Sequence, residues 1–187
     1  MLVSYANIVA LDAGDKVLVF SQLLVNLQLL SDMFTECLGY VVGRCGDRHM
    51  VVRGGGDDGL GDRLKRGRDL LYLDGGTSQQ ARNSQTEKCN DANDPARVFL
   101  ISIKAGNLGV NMIGANRVIL MEASWNPSDD LQAIHRIYRF GQTKPCFVYR
   151  LVAYGTIENK VFERQIIKQS ASMRVVDEAE VRFCCRH

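Results

Sequence analysis

Apolar residues along this chain fall into short blocks separated by longer stretches of mixed polarity. Lys16 to Phe20 is a β-branched and aromatic run, and from Leu23 to Cys37 leucines and valines return at helical spacing until Gly39. The pattern predicts a strand feeding a helix. Leu70 to Leu73 runs into the turn Asp74-Gly75-Gly76-Thr77-Ser78, and Gln79 to Cys89 is polar enough for an exposed helix capped by Thr77 or Ser78. Val98 to Ile101 and Val118 to Met121 are continuous apolar runs of the kind found in a parallel sheet covered on both faces, with Phe147 to Val152 as a fifth candidate strand. Helices predicted over Ser128 to Arg139 and Thr156 to Gln169 alternate with these strands, which gives an α/β fold built on a parallel sheet flanked by helices.

Between Gly39 and Asp69 the pattern changes to Gly, Asp and Arg around Gly54-Gly55-Gly56, with few residues able to build a core. Residues 40–69 are therefore expected to be a flexible, glycine-rich insertion. Seven cations there (Arg44, Arg48, Arg53, Arg63, Lys65, Arg66, Arg68) face five acids (Asp47, Asp57, Asp58, Asp62, Asp69), which favours a solvated loop over a nucleic-acid-binding arm.

Composition narrows the class without choosing a function. The 187 residues suit one globular domain, and 23 Lys/Arg against 21 Asp/Glu leave a net charge of +2 that forces no electrostatic partner. No apolar run approaches the ~18 residues of a membrane-spanning helix, and the first residues lack the basic region of a secretory signal, so no membrane partner is expected. Six cysteines without CxxC spacing fit reduced thiols in a cytosolic or nuclear compartment. Cys37, Cys45 and His49 can be drawn as three zinc ligands, but their spacing matches no common finger and a fourth ligand is lacking; no metal site is expected.

The most informative stretch is Gln132-Ala133-Ile134-His135-Arg136-Ile137-Tyr138-Arg139-Phe140-Gly141-Gln142. On a helix advancing about 100° per residue, Gln132, Arg136 and Arg139 share a stripe about 60° wide. Arginine stays protonated and presents a planar fork of donors, which suits the charge spread over a γ-phosphoryl group during nucleoside triphosphate hydrolysis. Spacing alone leaves a solvated basic face equally open. Leu100 to Met112 then reads as a strand ending in a small glycine-containing turn that lets backbone N–H groups approach a phosphate, with Lys104 as a mobile charge beside them. An ordinary β–α turn with a surface lysine is the alternative.

Taken in order, KVLVFSQ (Lys16 to Gln22), LDGGTSQQAR (Leu73 to Arg82), LISIKAGNLGVNM (Leu100 to Met112), WNP (Trp125 to Pro127) and QAIHRIYRFGQ (Gln132 to Gln142) resemble the second, C-terminal RecA-like lobe of the Swi/Snf-type ATPases, superfamily-two DNA translocases that remodel chromatin. The resemblance covers about Gly14 to Asp177. Arg139 to Pro145, with Lys168-Gln169-Ser170 and Arg174 to Asp177, is similar to the ATRX-like branch. The resemblance implies a helicase C-terminal domain over residues 1–177 and a tail over 178–187, expected to be truncated. It also implies that Arg136 and Arg139 act as arginine fingers toward ATP, that Gln132 opens their motif, and that Gly109 and Asn111 approach the nucleotide. Ser21, Gln22, Lys104, Gly106 and Asn107 match loops that track the DNA backbone, and Trp125 with Asn126 matches the motif whose tryptophan lies against the duplex. For Trp125, the single tryptophan, a place capping the sheet edge in the core is the other reading.

Two departures from the family pattern stand out. Ile103 occupies a position where threonine is usual, which puts one phosphate contact in doubt, and Gly76 stands where serine or threonine is common. The chain has no GxxxxGK[ST] sequence, and Asp177-Glu178-Ala179-Glu180 follows the arginine motif rather than preceding it, so it reads as an acidic surface and not a magnesium-binding box. The expectation is half of a motor, a lobe that meets ATP and magnesium only together with an N-terminal lobe. Its expected partner is duplex DNA, nucleosomal in the family's setting, and its compartment the nucleus. The rival reading is a non-catalytic DNA- or chromatin-binding module.

Overall fold

A computed structural model describes residues 15–37, 40–45, 48–53, 66–106 and 111–176. Five strands form one parallel sheet: β1 (Val17–Ser21), β4 (Leu70–Leu73), β5 (Val98–Ser102), β6 (Arg117–Leu120) and β7 (Phe147–Arg150), in the order β4-β5-β1-β6-β7. Successive side chains on a strand point to opposite faces, so the unbroken apolar runs fill two cores. Leu18, Phe20, Leu73, Phe99, Ile101, Val118 and Leu120 face one side, while Val17, Val19, Val98, Leu100 and Ile119 face the other. Helix α1 (Leu24–Asp32), continued by a wider π-type turn over Met33–Cys37, closes the second core with Leu27, Leu30 and Phe34. On the first side lie α2 (Gln79–Asn90), the short α3 (Ile103–Gly106) and α4 (Pro127–Ile134), contributing Cys89, Ile103, Ala105 and Ala133. The last helix, α5 (Ile157–Val176), packs on α4 through Gln165, which donates to Ser124 O and to Asp130 Oδ2.

Every strand expected from the sequence is present, but β7 differs in environment. Among the described residues it pairs only with β6, and Phe147 and Val148 stay partly exposed at the sheet's edge. The Arg117 guanidinium lies over the Phe147 ring at 4.7 Å while it pairs with Asp15 at 2.9 Å. Burial works against the Asp15 carboxylate, yet its bonds with Arg117 and Asn116 and the charges of Arg117 and Lys144 outweigh this and hold its pKa below the ordinary value.

Residues 40–69, expected to form a solvated loop, contain an antiparallel hairpin of β2 (Tyr40–Cys45) and β3 (Arg48–Arg53), with Val41 opposite Val52 and Val42 opposite Val51. The β-branched and aromatic residues at its two ends pair locally, a signal masked by the surrounding Gly, Asp and Arg. Helix α5 also runs beyond its expected end at Gln169 to Val176; the Ser170 hydroxyl returns a hydrogen bond to Ile166 O within the same helix.

Two buried polar contacts tie α2 to the sheet. The Lys16 ammonium lies beneath the helix C-terminus and donates to the carbonyls of Lys88 and Asp91, completing acceptors a helix end leaves open. Burial lowers the Lys16 pKa and pushes the neighbouring Cys89 thiol up to about 12. Asn90 bridges outward, donating to Asn111 O at 2.9 Å and accepting from Gly114 N at 3.0 Å.

Candidate functional site

Parallel strands all end on the same side, and here β1 lies between β5 and β6, where the direction of strand succession reverses. Such a switch point opens a crevice outside the carboxyl ends of the strands. Ser21 and Ser102 are register partners at the ends of β1 and β5. Glu122, just past β6, gathers the β1 loop. Its Oε1 accepts from the Ser21 hydroxyl at 2.6 Å, from the backbone N–H of Gln22 at 3.1 Å and from that of Leu23 at 3.4 Å. The Gln22 side chain then reaches Ser124 Oγ at 2.9 Å. Ser21 is fully buried, so its hydroxyl holds the loop through Glu122 while Gln22 lies exposed at the rim. Glu122 received no role from sequence reasoning, although an acid placed directly after an unbroken apolar strand is a signal that could have found it.

From Ser102 the chain turns at once into α3, which exposes Lys104 and buries Ile103 and Ala105. The Ile103 side chain is thus committed to the core rather than turned outward. Gly106 closes α3; Asn107 and Gly109 lie outside the described residues. Asn111 is exposed, held through its carbonyl by Asn90. At the end of β4, Asp74 accepts from Gly76 N and the Thr77 hydroxyl, and buried Arg82 donates to the carbonyls of Asp74, Gly75 and Thr77. A Cβ on Gly76 would meet only Asp74 Oδ1 at 3.5 Å, so the serine common in the family would fit.

The expected helix over Ser128 to Arg139 is a correction. Asn126 caps α4 by accepting from Ser128 N, Pro127 occupies its first turn, and the helix stops at Ile134. Beyond it, Arg136 and Ile137 donate to carbonyls three residues back, and the Arg136 carbonyl accepts from Met112 N at 3.2 Å instead of continuing the helix. The two arginines consequently do not share one helical stripe. Arg136 is 5% exposed and its Nε is buried without a hydrogen-bond partner, whereas Arg139 is exposed, with its Nε on His135 O at 3.0 Å. Burial first, and then the charge of Arg139, lower the Arg136 pKa from its ordinary value; the guanidinium remains charged and has no ion-pair partner among the described residues. Gln132 is exposed on α4. Gln142 fastens this segment to the turn that leads into β6, donating from Nε2 to Ala115 O at 2.9 Å and Ile113 O at 3.0 Å while its Oε1 accepts from Lys144 N. That latch is a further role spacing could not reveal.

Trp125 does not cap the core. It is 65% exposed beside α5, and Asn126 next to it is exposed at the start of α4. Lys104, Arg139 and Trp125 are thus exposed, whereas Arg136 is buried. Cationic groups of this kind can bind anions such as phosphates. Among the described residues no cluster of His, Cys, Asp or Glu could hold a metal ion.

The five-stranded parallel sheet and its flanking helices are those of a RecA-like lobe. Residues 57–141 match the family described as "Helicase conserved C-terminal domain". The crystal structure of the C-terminal part of the Fun30 ATPase domain superposes with a TM-score of 0.64 at 29% identity, covering 87% of this chain and 43% of that one. The chain is a C-terminal RecA-like helicase lobe of the Swi/Snf type, and its sequence assigns it to the ATRX-like branch. It is 48% identical over 171 residues to the transcriptional regulator ATRX of Homo sapiens, and 44% identical over 176 residues to helicase ARIP4 of Xenopus tropicalis. It spans 91% and 92% of its own length in those matches but only 7% and 12% of those proteins.

Proposed function

We propose that this lobe supplies one wall of an ATP site shared with an N-terminal helicase lobe, and the backbone contacts by which such a motor follows duplex DNA. The observation that carries the reading is Arg136: a buried guanidinium with an unpartnered Nε, on a segment pinned by Gln142 and Met112. A buried charge without a counter-ion is costly unless an anion completes it. The residues fit the terminal phosphate of a nucleotide and not its magnesium, since the described residues offer no carboxylate cluster. ATP with magnesium, when bound, supplies the phosphoryl bond to be hydrolysed. Arg136 holds the phosphoryl oxygens from within the cleft, Arg139 reaches them from the rim, and Gln132, Gly109 and Asn111 border the nucleotide.

Gln22, Lys104, Gly106, Asn107, Trp125 and Asn126 belong in this reading to a DNA-tracking rim, with Ser21 holding its first loop through Glu122. Phosphate contacts of this kind position a protein without selecting sequence. The likeness to transcriptional regulator ATRX supports nucleosomal DNA as the substrate and the nucleus as the compartment.

The chain alone is expected to bind duplex DNA weakly and without sequence preference, with a Kd no tighter than about 10⁻⁶ M at physiological salt. Lys104→Ala should then reduce the slope of log affinity against log salt by about one unit, because one phosphate contact is lost. Fluorescence anisotropy across a salt series measures both quantities; salt-independent or sequence-selective binding would contradict the reading.

A further inference from the structure

Trp125 forms one wall of a groove of about 230 Å³ whose other lining residues, Val161, Arg164, Ile167 and Lys168, all come from α5. Arg164 and Lys168 are one helical turn apart, and Lys160 lies one turn earlier, so three exposed cations follow one another at i, i+4 and i+8. None of the three forms an ion pair among the described residues. The neighbouring acids on the same helix are oriented by other donors: Glu158 accepts from Ala153 N at 2.9 Å, and Glu163 from Asn159 Nδ2 at 2.8 Å. From α4, Asp130 is buried against Gln165, and Asp129 faces Asn126.

We propose that Lys160, Arg164 and Lys168, with Trp125 at their side, form a second DNA-binding track on α5 that follows the phosphates of one strand beyond the rim described above. The proposal rests on the DNA-tracking reading and extends it to residues outside the family motifs. Three groups spaced by single turns span about 12 Å, over which one strand of a duplex carries about three to four phosphates. The apolar stems of the cations, together with Val161 and Ile167, give Trp125 a surface against which to hold a sugar edge. The same chain of contacts connects the track to the rim. Gln165 on α5 donates to Ser124 O, and Ser124 Oγ accepts from Gln22.

The decisive experiment measures anisotropy of a short labelled duplex of mixed sequence with the 187-residue chain and with a Lys160→Ala/Arg164→Ala/Lys168→Ala variant. The substituted side chains are exposed, so circular dichroism should be unchanged. The variant should lose at least about tenfold in affinity, and its salt slope should fall by between about two and three units, at roughly 0.9 per phosphate. Arg164→Lys alone should bind within about twofold of the parent, because a point charge suffices for a phosphate. If Lys104→Ala lowers the slope and the triple variant does not, the track is wrong while the DNA reading stands. If the parent does not bind the duplex at all, both fail. A poly-glutamate peptide released by the triple variant, with duplex binding untouched, would assign the groove to an acidic protein segment and overturn the proposal.

Discussion

In a two-lobe protein made by joining this chain to the first helicase lobe of a close relative, replacing Arg136 by lysine should lower kcat for DNA-stimulated ATP hydrolysis toward the factor of about 10³ to 10⁵ that arginine fingers contribute. Lysine keeps the charge but loses the planar fork, and its compact ammonium cannot span two phosphoryl oxygens from the same backbone position. DNA affinity should hardly change, since Arg136 is buried and belongs in the proposed function to the nucleotide wall. Arg139→Lys should also lower kcat, and less severely, because the exposed Arg139 must reorganise from His135 before it reaches the nucleotide. The unjoined chain, which carries no GxxxxGK[ST] sequence, should show no turnover at all. Steady-state hydrolysis with and without duplex checks each of these; full activity in both arginine variants would remove the basis of the nucleotide reading.

The second large effect concerns stability. A Cβ on Gly114 would sit 2.1 Å from Cys89 O and 2.7 Å from Asn90 Cα, and these are backbone atoms at the end of α2 that cannot rotate away. Gly114→Ala should therefore destabilise the lobe by about 3 kcal/mol, the upper part of the usual range for overpacking. For a domain of this size that lowers Tm by roughly 6 to 12 °C in a thermal melt. Gly75→Ala is the control: its Cβ meets nothing within 4 Å, and a shift within about 0.5 kcal/mol is expected. A melt in which the two variants behave alike would mean that the 111–116 turn yields to the added methyl. In the joined protein Gly114→Ala should also reduce hydrolysis, since the same turn holds Arg136 through Met112.

The sheet was legible because a parallel strand covered on both faces reads as an unbroken apolar run, and Val17–Ser21, Val98–Ser102 and Arg117–Leu120 are of that kind. Lys104 was likewise recoverable as an exposed group at a strand end, whereas the residues alone left Trp125 open between the core and the surface, where it proves 65% exposed. The arginine segment was not, for a definite reason. Periodicity registers only contacts within a helix, and past Ile134 the backbone tightens to bonds three residues back while the Arg136 carbonyl accepts from Met112 N, a tertiary contact 24 residues apart in sequence. The roles of Asn90 and Gln142 were hidden in the same way, because each acts on backbone groups of a distant loop. The hairpin over 40–53 was missed because composition averaged over the whole insertion diluted two short β-branched ends. The zinc reading at Cys37, Cys45 and His49 falls on side chains outside the described residues, as does the acidic stretch from Asp177.

Cys89 carries a consequence of a different sort. The thiolate is the form that attacks an alkylating reagent, and with the thiol pushed up to about 12 only about one molecule in 10⁴ is ionised at pH 8. Its sulfur is also sealed beneath α2, beside the Lys16 ammonium. Labelling of Cys89 must then wait for the helix end to lift away from the sheet, so the rate at which this one atom is modified is a clock for local opening. It registers how often the lobe breathes at the turn that holds Arg136, without any probe being added to the chain.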